Sequence, residues 1–239
     1  MQFLWPPSSV VQRQLEPEDM DDPGIDSQLL LGALRGLTTI NFVSASARIV
    51  WSPIARLARA LKTDRLRALD IATGAGDIPR ALWKRAERAG LKLEIHGVDI
   101  SERSLTYARE RMPAGASLTF SRLNALAEPL PSDYDVVMCS LFLHHLAEDS
   151  AVVLLRKMAA ATRRLVLVND LRRGRDGLLL AYLAGRLLST SPVVRVDAVR
   201  SVRAAFTLPE AQSLAVKAGL AGATVSRRWP CRYLLEWRR

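Results

Sequence analysis

Two glycines and one acid carry most of the chemistry that this chain can be read to contain. Gly74 and Gly76 follow an apolar run over 66–72, and Asp99 closes the next apolar run, 95–100. Glycine has no Cβ, so the backbone can turn sharply there and a ligand can approach it closely. A helix-like segment over 78–89 follows at once, with Asp77 placed to cap it. A helix start presents free N–H groups to a ligand. Asp99 stands a little over 20 residues after the glycines. An acid at that distance in a βαβ unit takes ribose hydroxyls. Further along, His144 and His145 follow the tip of a fourth apolar run, 134–140, where a base could reach a substrate.

The third glycine of a dinucleotide fingerprint is absent, and Pro79 stands in its place. A pyrophosphate turn wants that glycine for close helix–strand packing. A nucleoside without a pyrophosphate fits better. At this point the chain resembles the class I S-adenosylmethionine-dependent methyltransferases. The resemblance spans roughly 68–169. It rests on LDIATGAGD (69–77), GVDIS (97–101), the Asn124–Ala125 pair and YDVVMCSLFLHHL (134–146).

The resemblance implies a set of roles. Asp99 would take the ribose diol of S-adenosylmethionine and Ile100 would lie against the adenine. Asn124 would bond the adenine amino group, and the Ala125 N–H a ring nitrogen. Asp70, with the loop Ala72, Thr73, Gly74 to Gly76, would face the methionine end. Ser140 and Leu141 would lie beneath the sulfonium. His145 is the first choice of general base and His144 the second, against the alternative that a histidine there only caps a helix or fills the loop. His96, inside the second strand, is expected to be a packed core residue.

The elements that must position these residues alternate. Strands are expected over 66–72, 92–98, 117–121, 134–140 and 164–168, with helices over 78–89, 102–111 and 148–161. Ser101 is expected to cap the second of these helices. Such alternation gives a parallel sheet with helices on both faces, and ligands sit at the carboxyl ends of its strands. The expected architecture is α/β: a Rossmann-like three-layer sandwich on a mostly parallel seven-stranded sheet. An antiparallel C-terminal strand finishes the sheet, from a hairpin over 223–229 and 233–237. Thr207-Leu208-Pro209-Glu210 reads as a capping box ahead of a helix that stops at Gly219.

Three segments flank this core. Residues 1–27, rich in Pro and acids, read as a flexible arm. Residues 28–62 read as a helical cap, with a helix from Ser27, a second over 39–51 and a third over 54–61 after Pro53. Residues 63–239 form the binding domain, with a helical lid inserted at about 171–206. The segment 39–51 resembles the cap of quinone-pathway methyltransferases. There Arg48 would pair with the cofactor's carboxylate and Asn41 is the other polar residue to watch. The stretch from Asn169 onward resembles bacterial methyltransferases of polyketide and phenolic-lipid pathways.

Composition narrows the partners. The 239 residues are 49% hydrophobic, enough for one domain with a sizeable core. No uninterrupted apolar run reaches 18 residues and no secretory signal is visible, so a cytoplasmic location is expected. Cys139 and Cys231 are far apart and read as reduced thiols, and no metal ligands are assigned. The net charge of +10 is mostly Arg spread along the chain. Without interleaved aromatics it is a poor nucleic-acid footprint, and no specific nucleic acid is expected. A peripheral membrane contact stays open, as does the choice of monomer or homodimer.

No Asn-Pro-Pro-Tyr-type sequence follows strand four, which argues against an adenine or amide nitrogen acceptor. Phe142 and Leu143 suggest an apolar wall. A small apolar acceptor, aromatic or polyketide-derived, is therefore expected, with O-methylation favoured. A carbon-methylating enzyme of the quinone type is the nearest variant. An NAD-dependent oxidoreductase is the competing class, but its third glycine and Tyr-x-x-x-Lys pair are not seen. A non-catalytic nucleotide-binding domain is the remaining alternative.

Overall fold

The computed structural model describes residues 12–239. Seven strands form one sheet in the order β3-β2-β1-β4-β5-β7-β6. They are β1 (Arg65–Ile71), β2 (Lys92–Asp99), β3 (Leu118–Arg122), β4 (Tyr134–Ser140), β5 (Thr162–Leu171), β6 (Thr224–Arg228) and β7 (Arg232–Arg238). The first five pair in parallel, and β7 runs antiparallel to both β5 and β6. The expected architecture is therefore observed, down to the single reversed strand.

Burial explains the strand composition. The four central residues of β4, Val136 to Cys139, and Leu165 to Val168 of β5 are all fully buried, as strands covered on both faces must be. Helices cover both faces. On one side α2 (Ser46–Leu61) and α3 (Asp77–Arg88) pack against Leu66, Ile95, Met138 and Leu167. On the other, α5 (Glu148–Ala161) and α8 (Leu208–Lys217) pack against Leu69, Val137, Val166 and Tyr233. Helix α4 (Glu102–Glu110) starts on the Ser101 cap, whose side chain accepts from Ser104 N. The Thr207–Glu210 capping box forms as read.

Three expectations at the N-terminal side are corrected. The cap is two helices, α1 (Ser27–Val43) and α2, not three. The chain breaks at Ala45, which adopts a left-handed conformation (φ 52°), while Pro53 sits inside α2 and ends nothing. Arg48 therefore falls on the exposed face of α2, whose opposite stripe, Ala47, Ile49, Val50, Ile54 and Leu57, is buried. It lines no part of the cleft and cannot meet a carboxylate there. The arm, expected to be flexible, is docked over residues 12–26. Arg13 donates to the carbonyls of Ala204, His144 and Leu146 (2.5, 2.8 and 2.7 Å). Asp19 N and Met20 N donate to the Asp197 carboxylate. The part of that expectation on residues 1–11 lies outside the described residues.

The segment expected to form a lid is a helix pair, α6 (Arg175–Leu187) and α7 (Pro192–Ala204). Gly185 lets them touch: a Cβ there would lie 3.3 Å from Arg195 Cα. Helix α7 also buries Val193 and Val194 against Ala33 of α1. Among the described residues no single helix is long and apolar enough to cross a membrane. Together α1 and α2 pass that test by length and composition, but they are bent by 57°.

Candidate active site

A cleft of about 1140 Å³ opens at the carboxyl ends of the strands, roofed by α1, α6, α7 and the docked arm. That volume exceeds a typical single-ligand pocket and suits two small molecules side by side.

One wall is the loop from β1 to α3. Gly74 and Gly76 both have positive φ (51° and 63°). Their environments differ. A Cβ on Gly74 would meet nothing within 4 Å, so its bare backbone faces open space. A Cβ on Gly76 would strike the Phe120 ring at 2.8 Å, so this glycine is required by packing. Ala72 also has positive φ (53°). Gly76, not Asp77, is the N-cap of α3. Asp77 is displaced into the first turn, where its carboxylate accepts from Asn41 Nδ2 (3.1 Å). Pro79 is tolerated because it lies in that first turn, where no intrahelical N–H bond is lost.

Asp99 closes β2 with its carboxylate beside this loop. Its Oδ2 accepts from Gly74 N (2.8 Å) and its Oδ1 from Ser101 N (2.9 Å). Burial raises its pKa, and these two N–H bonds oppose the rise. Ile100 beside it lines the cleft with 58% of its surface exposed. Gly97 sits below: a Cβ there would lie 2.8 Å from Thr73 Oγ1. Sequence reading left Gly97 unassigned, because its constraints, Thr73 in the loop after β1 and Phe120 on β3, come from elsewhere in the chain.

Asp70 is 2% exposed. Thr73 Oγ1 donates to its Oδ2 (2.7 Å), while Oδ1 is buried without a partner among the described residues. Burial raises its pKa to about 7 against the effect of the Thr73 bond. At the tip of β4, Ser140 Oγ is likewise buried and unpartnered, and Leu141 takes a left-handed turn (φ 57°). All three line the cleft.

Asn124 and Ala125 line the far wall as expected, but the role of Asn124 is corrected. Its Oδ1 accepts from Leu126 N and Ala127 N (3.1 and 3.2 Å), which caps the turn after β3. The oxygen meant for an adenine amino group is thus spent on its own loop, as short Asx turns demand. Lys157 Nζ holds the same loop through the Ala125, Leu126 and Glu128 carbonyls.

His144 and His145 lie in a 3-10 turn (Leu143–His145) after β4, their rings 4.3 Å apart. Their environments separate their roles. His144 is 3% exposed; its Nδ1 lies 2.6 Å from Asp170 Oδ1 and its Nε2 3.5 Å from Glu18 Oε1. Burial alone would lower its pKa, but the two carboxylates outweigh it and lift the value to about 10. With a raised pKa and both ring nitrogens turned to carboxylates, His144 is placed as the partner of Asp170 rather than as the second base. Burial also opposes the charges of Asp170 and Glu18, yet the histidines hold both below the ordinary carboxylate range. His145 is more open: Asp21 Oδ2 lies 2.9 Å from Nδ1, which directs Nε2 toward the cleft side near Glu18 Oε1 (3.8 Å). Glu18, His144 and His145 offer three ligand atoms within 4.8 Å of one another, a set that could hold a metal ion. No signal in the sequence marks Glu18 or Asp21, because the arm brings them over 120 residues to the histidines.

His96 is the structural residue expected, bonded to Tyr134 Oη (2.8 Å) and Ser121 Oγ (2.7 Å). Both cysteines are free thiols.

A parallel sheet with one reversed strand, a glycine loop after β1 and an acid after β2 defines the class I methyltransferase architecture. Residues 68–164 match the family described as "Methyltransferase domain". The chain is 27% identical over 126 residues to a ubiquinone biosynthesis O-methyltransferase of Leptothrix cholodnii, covering 51% of each chain. Over 90 residues it is 32% identical to the like-named protein of Burkholderia vietnamiensis, covering 36% of each. The chain thus spans about half the length, or less, of the curated relatives it matches. Among solved structures it resembles a putative O-methyltransferase from Nostoc punctiforme (TM-score 0.64, 20% identity, 95% of this chain and 64% of that one). It also resembles the magnesium protoporphyrin IX methyltransferase of Synechocystis solved with bound SAH (TM-score 0.54, 19% identity, 80% and 82%).

Proposed function

We propose that this protein transfers the methyl group of S-adenosylmethionine to a hydroxyl on a small apolar acceptor. The observation that carries the reading is Asp99 bonded to Gly74 N on the rim of the cleft: a carboxylate for a ribose diol, fixed beside a backbone that a ligand can touch. The residues fit the donor elsewhere too. The orphaned Oδ1 of Asp70 suits an ammonium, and the open space over Gly74 suits the amino-acid arm. When bound, the donor supplies a methyl carbon already activated by the sulfonium.

The chain's own part is positioning and proton handling. Leu180, Leu183 and Leu187 of α6 give the acceptor side an apolar wall. Oriented reactants gain much of the rate from placement alone. His145, its tautomer fixed by Asp21, takes the hydroxyl proton, and His144 positions Glu18 beside it. Like-named curated relatives that act on oxygen favour O-methylation over methylation of carbon.

Calorimetry with S-adenosylhomocysteine tests the donor. Micromolar binding by the native chain, lost in Asp99→Ala, supports the reading; equal affinity of both chains refutes it. Mass spectrometry of phenolic acceptors incubated with isotopically labelled donor then tests the acceptor atom.

A further inference from the structure

Arg232 is a deeply buried charge on the cleft wall, with no ion-pair partner among the described residues. It opens β7 opposite Leu171, at the end of β5, and is 2% exposed. Its Nη2 donates to Asn41 Oδ1 (3.2 Å) and Ser44 Oγ (2.7 Å), both neutral groups. Its Nη1 is buried with no partner, and no carboxylate lies within ion-pair distance, among the described residues. Burial pulls its pKa down only to about 10, so it stays charged at neutral pH.

Buried Arg173 shows the usual solution. It is equally hidden and pairs with Glu210 at 2.5 Å. A buried charge left unpaired is expensive, and a strut between α1 and β7 would need no orphaned N–H. Arg232 also lines the same cleft as Gly74 and Asp99. Asn41 ties it to the glycine loop, because the same amide that accepts from Arg232 donates to Asp77 in the first turn of α3.

We propose that Arg232 is the receptor for a carboxylate that enters the cleft with a ligand. A guanidinium presents a planar fork that matches a carboxylate. Two sources carry that group: the amino-acid end of the donor, or an acidic acceptor such as a hydroxybenzoate. The donor source rests on the function proposed above. It gains support from Asp70, whose free Oδ1 is the matching site for the ammonium of the same zwitterion.

The test compares the native chain with Arg232→Met and Arg232→Lys. Calorimetry with S-adenosylhomocysteine and with its decarboxylated analogue, which keeps the amine, reads the donor source. The native chain is expected to prefer the carboxylated ligand about 10- to 100-fold. Arg232→Met should bind the two equally, with Arg232→Lys in between. Titration of benzoate into each protein reads the acceptor source: binding lost only in Arg232→Met assigns the site to the acceptor. If Arg232→Met keeps both the native discrimination and the native benzoate affinity, the proposal fails. If the native chain binds neither nucleoside, the methyl-donor reading falls, and the benzoate titration still decides on Arg232.

Discussion

Asp99 Oδ2 lies 2.8 Å from Gly74 N, so the acid that ends β2 and the glycine that follows β1 are held by one hydrogen bond. The bond orients the carboxylate before any ligand arrives, and Ser101 N fixes its other oxygen. Asp99→Asn keeps the shape but replaces one acceptor oxygen with a donor. It is expected to weaken S-adenosylhomocysteine about 10- to 100-fold by calorimetry and to lower the melting temperature by a few degrees, because the new amide N–H faces either Gly74 N or Ser101 N.

The two glycines should separate binding from folding. Gly74→Ala places its methyl in open space, so only the strain of its positive φ opposes folding, about 1 kcal/mol. Its donor affinity should fall steeply if the donor's amino-acid arm fills that space, as proposed. Gly76→Ala drives a methyl into Phe120 and should unfold several degrees lower. Thermal melts with and without S-adenosylhomocysteine separate the two outcomes.

Asp70 gives the free protein a pH dependence of stability. Its folded pKa, about 7, is above the value of an exposed carboxyl, so folding favours the protonated form. The stabilisation is full below about pH 4 and is lost as pH rises to 7, at most about 4 kcal/mol. Asp70→Asn should flatten that slope in urea unfolding from pH 4 to 7. If an ammonium docks on Asp70, ligand binding near pH 6 should release a proton. Calorimetry in buffers of different ionisation heat would detect it.

His144 and Asp170 form a buried ion pair, and removing one partner strands the other. Asp170→Asn is expected to cost about 3–5 kcal/mol in denaturant unfolding. The signs bound the working range. The raised His144 pKa contributes below about pH 10, and the lowered Asp170 pKa contributes until acid protonates it. The histidine's share is full below about pH 6.5, its unfolded value, and falls away between there and about pH 10, a slope that the variant should lose.

His145→Ala should cut turnover about 10²- to 10⁴-fold while leaving S-adenosylhomocysteine affinity intact. Retention of native turnover would move the proton acceptor elsewhere.

The half of the cleft around the glycine loop and Asp99, proposed to take the donor, was legible in the sequence because its parts are local. Strand, glycine turn and closing acid recur within one βαβ unit, and periodicity locates them. The acceptor half was not. Glu18 and Asp21 reach the histidines only because Arg13 and Asp197 pin the arm, and no spacing encodes that. Arg48 and Arg232 show the same limit. Which arginine is buried depends on where α1 ends, and Ala45, an ordinary residue in an unusual conformation, decides it. Asn124 was identified by type, but its oxygen is spent on its own turn, which type alone does not reveal.

Strand β7 inserts between β5 and β6, and its first residue is the guanidinium at the foot of the cleft. A nascent chain translated only as far as residue 231 would already hold the glycine loop, Asp99 and the pairing of β4 with β5, yet would lack that cation and the strand that joins β5 to β6. Competence to hold an acidic ligand would then arrive late in synthesis, well after the nucleoside loop itself is made.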